Sequence, residues 1–143
     1  MAISQAVANS FKKEILEGIH DLESGGDVFK LGLYTSVATL SSATTSYTTS
    51  SEVAASGEYV AGGGVLQSQQ VSLATGGVAI VDFADLSFTG VTLTARGALI
   101  YNTTEAKKAV CVLDFGADKT ATSGTFTIQF PQFTSSSAIL RIA

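Results

Sequence analysis

The first part of the chain repeats its apolar residues at steps of three and four, which places them on one face of a helix. Ser4 fits an N-cap, and Gly25-Gly26 fits a helix end because glycine accepts the left-handed conformation found there. We predict an amphipathic helix over residues 4–23, packed on the body of the same chain or docked on a neighbouring subunit. Its apolar positions are Ile3, Val7, Phe11, Ile15, Ile19 and Leu22.

Beyond Gly26 the repeat shortens to two, which is typical of strands with one face turned inward. Residues 28–35 form the first such segment. A hairpin turn is predicted at 75–77, a polar turn at 102–108 and a loop at 116–124. The further predicted strands are 65–73, 78–83, 86–88 and 91–93 with a break at Gly90, 97–102, 109–115, 125–130 and 138–142.

About eight short strands separated by turn signals predict an all-β fold. We expect an antiparallel, jelly-roll-like β-sandwich preceded by one N-terminal amphipathic α-helix. The helix comes before the strands and does not alternate with them, which disfavours a βαβ fold. The 143 residues fit one domain, with a helical segment at 1–26 packed on a β-sandwich at 27–143.

Residues 35–57 form a long polar stretch in which thirteen of twenty-three residues are Ser or Thr. Thr49 and Glu52 have the spacing of a capping box, which predicts a short turn of helix. Loops of this length are often functional. The stretch is therefore either a surface arm that contacts a partner or a solvated connection.

Charge is scarce, at 14% of residues, and the net charge is −4. Over residues 31–81 the ionisable groups are Glu52, Glu58 and three tyrosines. A free-standing protein normally carries a mixed charged surface, so this composition favours a surface that lies against other protein. The acidic balance argues against nucleic acid and against an anionic membrane surface as partners.

Candidate chemistry is sparse. The single histidine, His20, falls on the predicted helix without a nucleophile elbow, and the single cysteine, Cys111, lies in an apolar run typical of a buried residue. Two carboxylate pairs, at 82/85 and 114/118, could serve a glycosidase or calcium, but they fit better as turn residues that accept backbone hydrogen bonds. We predict no catalytic, cofactor-binding or metal-binding residue.

Two further features set expectations about location and ligands. No apolar stretch approaches the ~20 residues that cross a bilayer, and the N-terminus lacks the pattern of a secretory signal. We expect the chain to fold in a cytoplasm. A sugar-stacking platform would have to use the four tyrosines, which are scattered between predicted strands and loops.

Several segments together resemble a family of small structural proteins of tailed bacteriophages, and the resemblance covers nearly the whole chain. It implies a non-enzymatic virion component present in many copies and assembled in the host bacterial cytoplasm. It implies neither catalytic residues nor a position in the particle. The segments are 4–12 (SQAVANSFK), 27–35 (DVFKLGLYT), 44–49 (TTSYTT), 52–53 (EV), 57–63 (GEYVAGG), 81–85 (VDFAD), 95–102 (ARGALIYN) and 112–116 (VLDFG).

The weakly charged, hydroxyl-rich composition agrees with a head decoration, or cement, protein, because burying such a surface leaves few charges unpaired. We expect its partners to be the major capsid protein or other virion proteins. A homo-oligomer is also expected, with a trimer as one arrangement. The predicted contact residues are Val7, Phe11 and Ile15 on the helix stripe, and Tyr47 and Tyr59 at the two ends of the 47–59 loop.

Three alternatives stay open at this point. The chain could be a neck, tail or baseplate subunit of the same kind of particle. It could be a carbohydrate-binding module on a host-recognition fibre. It could also be a hydrolase that uses the aspartate pairs.

Overall fold

The computed structural model describes residues 2–131, 134 and 138–142, which form eight strands and one helix. The elements are β1 (Ala6–Val7), α1 (Asn9–Leu16), β2 (Phe29–Tyr34), β3 (Gly64–Val65), β4 (Gln70–Ala74), β5 (Val78–Asp82), β6 (Leu86–Asn102), β7 (Lys108–Ile128) and β8 (Leu140–Ile142). The first half of β6 and the end of β7 alternate buried and exposed residues, as a sheet with one covered face requires, whereas residues 98–102 and 109–112 are buried on both faces.

The strands form two antiparallel sheets. One sheet has the order β1-β7-β6-β2-β3, and the other has the order β4-β5-β8. The predicted all-β, sandwich-like fold with an N-terminal helix is confirmed. One hydrophobic core includes Phe11 and Leu22 from the N-terminal part together with Leu31 and Ile100 from the larger sheet. Cys111 is buried in this core, as predicted.

The predicted helix over 4–23 is too long, because α1 begins at Asn9 and ends at Leu16. Ser4 is not its N-cap; Ala8 holds that position without a side-chain hydrogen bond. The preceding residues pair instead with the larger sheet as β1. At the other end Gly18 adopts a φ of +74°, the left-handed conformation that ends a helix, well before Gly25-Gly26.

The long hairpin of β6 and β7 also departs from the prediction. Residues 116–124 are not a loop, because they continue β7, and from Lys119 onward they pair again with β6, for example Thr120 with Thr94 and Ala121 with Leu93. Register shifts, one of them around Gly90, keep the two long strands paired where the sequence pattern breaks. The predicted hairpin turn at 75–77 and the polar turn after Asn102 are both present.

The single strand predicted at 65–73 is divided between the two sheets. Val65 pairs with β2, whereas Val71 belongs to β4 and pairs with β5 in the smaller sheet. Between them Leu66 donates its N–H to the carbonyl of Phe29, and Ser68 adopts a φ of +55°. The chain crosses from one sheet to the other at this break, which a period of two cannot reveal.

Candidate contact surfaces

His20 lies in a buried hydrogen-bonded network and not on an exposed helix face. Its Nε2 is 2.9 Å from Glu14 Oε1, and its Nδ1 is 2.9 Å from Asn102 Nδ2. The Asn102 amide also donates to Asp27 at 2.8 Å, while its oxygen accepts the N–H of Thr104. Because Asn102 Nδ2 can only donate, His20 Nδ1 accepts and the ring hydrogen lies on Nε2. The network joins the segment after α1 to the end of β6.

The two aspartate pairs serve the backbone and a surface arginine. Asp85 accepts the N–H of Phe130 at 2.9 Å, and Asp114 accepts the N–H of Gly116 at 2.9 Å. Arg96 lies 3.4 Å from Asp118 Oδ1 and 3.9 Å from Asp114 Oδ1. Burial raises the pKa of Asp82, with the charge of Asp85 a smaller contribution. Among the described residues, no group of three or more His, Cys, Asp or Glu is placed to bind a metal ion.

All four tyrosines of the chain meet around Glu52, within the long loop. One carboxylate oxygen accepts the hydroxyl of Tyr47, and the other accepts the hydroxyl of Tyr59 at 2.7 Å and the N–H of Gly62 at 2.8 Å. The hydroxyl of Tyr101 donates to the carbonyl of Gly62. Thr49 and Glu52 close a single hydrogen-bonded turn in which Ser51 has a φ of +62°, and not the predicted turn of helix. Tyr34 completes the group by donating to the carbonyl of Thr48.

This tyrosine cluster fastens the loop to the larger sheet. Tyr34, Tyr59 and Tyr101 are buried, and Tyr47 is half-buried with its ring stacked on Tyr101 at 4.7 Å. Burial, followed by the charge of Glu52, raises the pKa of Tyr101 to about 12. Tyr59 is fully buried, so its side chain cannot be the surface contact that the sequence predicted. The rings face inward and offer no open sugar-stacking platform.

The other three predicted contact residues line one groove in the surface of the protein. Val7, Phe11 and Ile15 line a groove between α1 and the smaller sheet, with a volume of about 590 Å³. Phe11 is itself buried and packs on His20 with ring centroids 4.7 Å apart, whereas Val7 and Ile15 are half-buried. The sheet side of this apolar groove is formed mainly by Val71, Ala79, Val81, Leu140 and Ile142.

A second surface lies on the outer side of the β6–β7 hairpin. Phe88, Val91 and Leu93 turn inward, so the alternate positions turn outward and are exposed. Facing hydroxyls are hydrogen-bonded across the hairpin, as at Ser87 and Thr127 with 2.9 Å between their oxygens. We call this surface the hydroxyl face; it consists of Ser87, Thr89, Thr92, Thr94, Thr120, Thr122, Thr125 and Thr127.

The hydroxyl face is not apparent from the sequence, because Gly116 and Gly124 make the segment between them resemble a loop. The signal is nonetheless present as hydroxyl residues at every second position, as in Thr120 and Thr122 or Thr92 and Thr94. A repeat of two in a polar stretch indicates a strand as well as an apolar repeat does, provided that its partner strand is recognised.

No protein-family model matches this chain, and neither a curated protein nor a solved structure matches it. Within the described residues, no helix combines the length and the hydropathy needed to span a membrane.

Proposed function

We propose that this protein is a non-enzymatic structural component of a tailed-bacteriophage virion, and specifically a head decoration protein that binds the major capsid protein. The resemblance of its segments to small phage structural proteins supports the class. Within that class, a neck, tail or baseplate subunit is the alternative position in the particle.

The observation that carries the proposal is the hydroxyl face. Its eight residues are all exposed, none is ionisable, and each hydroxyl both donates and accepts hydrogen bonds. A contact built from such groups is satisfied by the backbone and side-chain groups of another protein without burying unpaired charge. A subunit or oligomer that engages several equivalent lattice sites at once then attaches firmly, even though each contact is modest.

The rigidity of the hairpin fits the same role. The inner side of the hairpin is anchored to the body, since Tyr59 packs edge-on against Phe88 at 5.0 Å. Glu58 accepts the N–H of Thr89 at 2.7 Å, and the Ser56 hydroxyl accepts the N–H of Thr92 at 2.9 Å. A surface that is already ordered loses little conformational entropy on binding.

The direct test is to locate the protein in purified particles of the phage that encodes it. We expect quantitative mass spectrometry to find hundreds of copies per particle, and electron cryomicroscopy to place it on the outer head surface. A handful of copies in a ring would move it to the neck or tail. Its absence from particles would reject the virion role.

A paired variant tests the hydroxyl face itself. Thr92→Asp combined with Thr94→Asp adds two charges to the face, and we expect at least a tenfold loss of incorporation into particles because both charges would have to be desolvated. The matched control, Asn9→Asp with Ser24→Asp, adds the same charge at exposed positions outside the face and should be incorporated normally. Equal incorporation of both variants would exclude the hydroxyl face as the contact.

A further inference from the structure

The smaller sheet presents an apolar face that α1 covers only in part. Strand pairing places its inward residues in two rows, Val71-Val81-Leu140 and Leu73-Ala79-Ile142. The first row and two members of the second row, Ala79 and Ile142, line the apolar groove, and Leu73 extends the apolar face beyond it. Leu73 is 74% exposed and Ile142 is 62% exposed. A contiguous exposed apolar patch on a folded protein usually marks an interaction site.

A projecting side chain stands beside this opening. Leu16 is the last residue of α1, lines the groove and is 89% exposed. The groove has room for it, because a cavity of about 150 Å³ already holds a benzene-sized group and this groove measures about 590 Å³. The same surface therefore carries both an apolar projection and an apolar recess.

The rim of the groove carries both signs of charge. Lys12 and Arg141 supply cations, and Asp21 and Glu23 supply carboxylates. A strongly acidic or strongly basic partner would meet like charges on this rim, whereas a second copy carries both signs itself and can set its basic residues against acidic ones. The mixed charge of the rim therefore favours a second copy over a partner of one sign.

The exposed edge of β4, beside the groove, also favours a second copy of this chain as the partner. β4 is one of the two outer strands of the smaller sheet in the described part of the chain, and its sequence Gln70–Ala74 contains neither a charge nor a proline. Edge strands are normally protected from pairing by such residues. A second copy seated over the groove would also cover this edge.

We propose that the apolar groove is an isologous interface between two copies of this chain, in which Leu16 of each copy enters the groove of the other. The contact buries Leu73 and Ile142 and brings Lys12 and Arg141 near the acidic rim of the partner. This inference rests on the proposed structural role and names a second copy as the partner of the apolar groove. The hydroxyl face stays available for the capsid.

The test is the mass of the purified full chain in solution, measured by sedimentation equilibrium over a concentration series. We expect the unmodified protein to reach twice its chain mass of 14.7 kDa. Leu16→Glu and Leu73→Glu each place a charge in the contact, so each should weaken dimerisation at least tenfold. Both positions are exposed in the single chain, so both variants should fold, which circular dichroism and thermal melting will verify.

The matched control is Val37→Glu, which makes the same change at a side chain that is 62% exposed and is not among the residues lining the groove. We expect this control to dimerise like the unmodified protein. A monomer at the highest soluble concentration, a trimer, or a dimer that both groove variants leave intact would overturn the proposal. None of these outcomes bears on the virion role, which is decided by the particle measurements alone.

Discussion

At the scale of single residues, the Glu52 side chain accepts three hydrogen bonds that hold the loop together. Three donors, from Tyr47, Tyr59 and Gly62, end on its two carboxylate oxygens. The hydroxyl of Tyr59 is also the acceptor for the N–H of Leu33 in β2, at 2.7 Å. A buried donor that loses its acceptor costs the full free energy of its desolvation. The carboxylate thus connects the loop to the strand beneath it.

We predict that Glu52→Ala lowers the free energy of unfolding by about 2–4 kcal/mol, because it leaves three donors without their acceptor. Chemical denaturation followed by circular dichroism measures the change. The control, Glu17→Ala, removes only an exposed pair with Lys13 and should cost less than about 0.5 kcal/mol. Equal effects of the two substitutions would show that the cluster does not stabilise the fold.

At the scale of elements, the pairing of β3 with β2 depends on a close approach of two backbone segments. Gly63 has a φ of +81°, and a Cβ placed on it would lie 1.8 Å from the carbonyl oxygen of Leu31 in β2. A side chain at this position would push β3 away from β2. Gly76, in the β4–β5 turn, has a nearly equal φ of +83° but open space around it.

This contrast gives a matched pair of substitutions. We predict that Gly76→Ala destabilises the protein by about 1 kcal/mol, from backbone strain alone. Gly63→Ala adds a clash with a backbone atom that cannot move aside, so its cost should be at least about 3 kcal/mol. Thermal melting of both variants under one buffer condition tests the prediction. Similar melting temperatures would contradict it.

Sequence patterns predicted those elements that local chemistry determines. The two glycines of the β4–β5 turn and the alternation in β2 were sufficient to locate both. The end of α1 was missed because Gly18, a single glycine, competed with the stronger signal of Gly25-Gly26. Residues 116–124 look like a loop in isolation and become a strand only by pairing with β6.

The candidate surfaces were predictable to a similar degree. Phe11 and Ile15 line the groove because their spacing keeps them on one face of α1, whereas Val7 reaches the same groove from β1, which the helical spacing does not predict. The smaller sheet that completes the groove comes from distant parts of the chain. No local pattern shows that Tyr59 turns inward to Glu52, because that contact depends on how the loop returns to β2.

At the scale of the whole molecule, the buried tyrosines connect stability with pH. Burial raises the pKa values of Tyr34, Tyr59 and Tyr101 above the ordinary value of 10, and that of Tyr101 reaches about 12. Burial also raises the pKa of Cys111 to about 12. Above pH 10 the unfolded chain therefore loses protons that the folded chain retains. Unfolding then releases protons, so the free energy of unfolding falls as the pH rises.

We predict that these groups contribute their full stability below about pH 8, because the Cys111 thiol of the unfolded chain ionises around its ordinary pKa of 9.0. Cooperative unfolding should follow above about pH 10, where the tyrosines of the unfolded chain also ionise. Each proton that the folded chain keeps and the unfolded chain releases makes the free energy of unfolding fall by about 1.4 kcal/mol per pH unit. The three buried tyrosines together therefore contribute about 4 kcal/mol per pH unit. That slope exhausts a typical stability of about 5–15 kcal/mol within a few pH units. Tyrosinate absorbance and circular dichroism should change together, because the rings ionise only when the fold opens. Tyr101→Phe removes one of these protons, so the free energy of unfolding should fall less steeply with pH, by about 1.4 kcal/mol per pH unit. Tyrosines that titrate near pH 10 while the protein is still folded would contradict their burial.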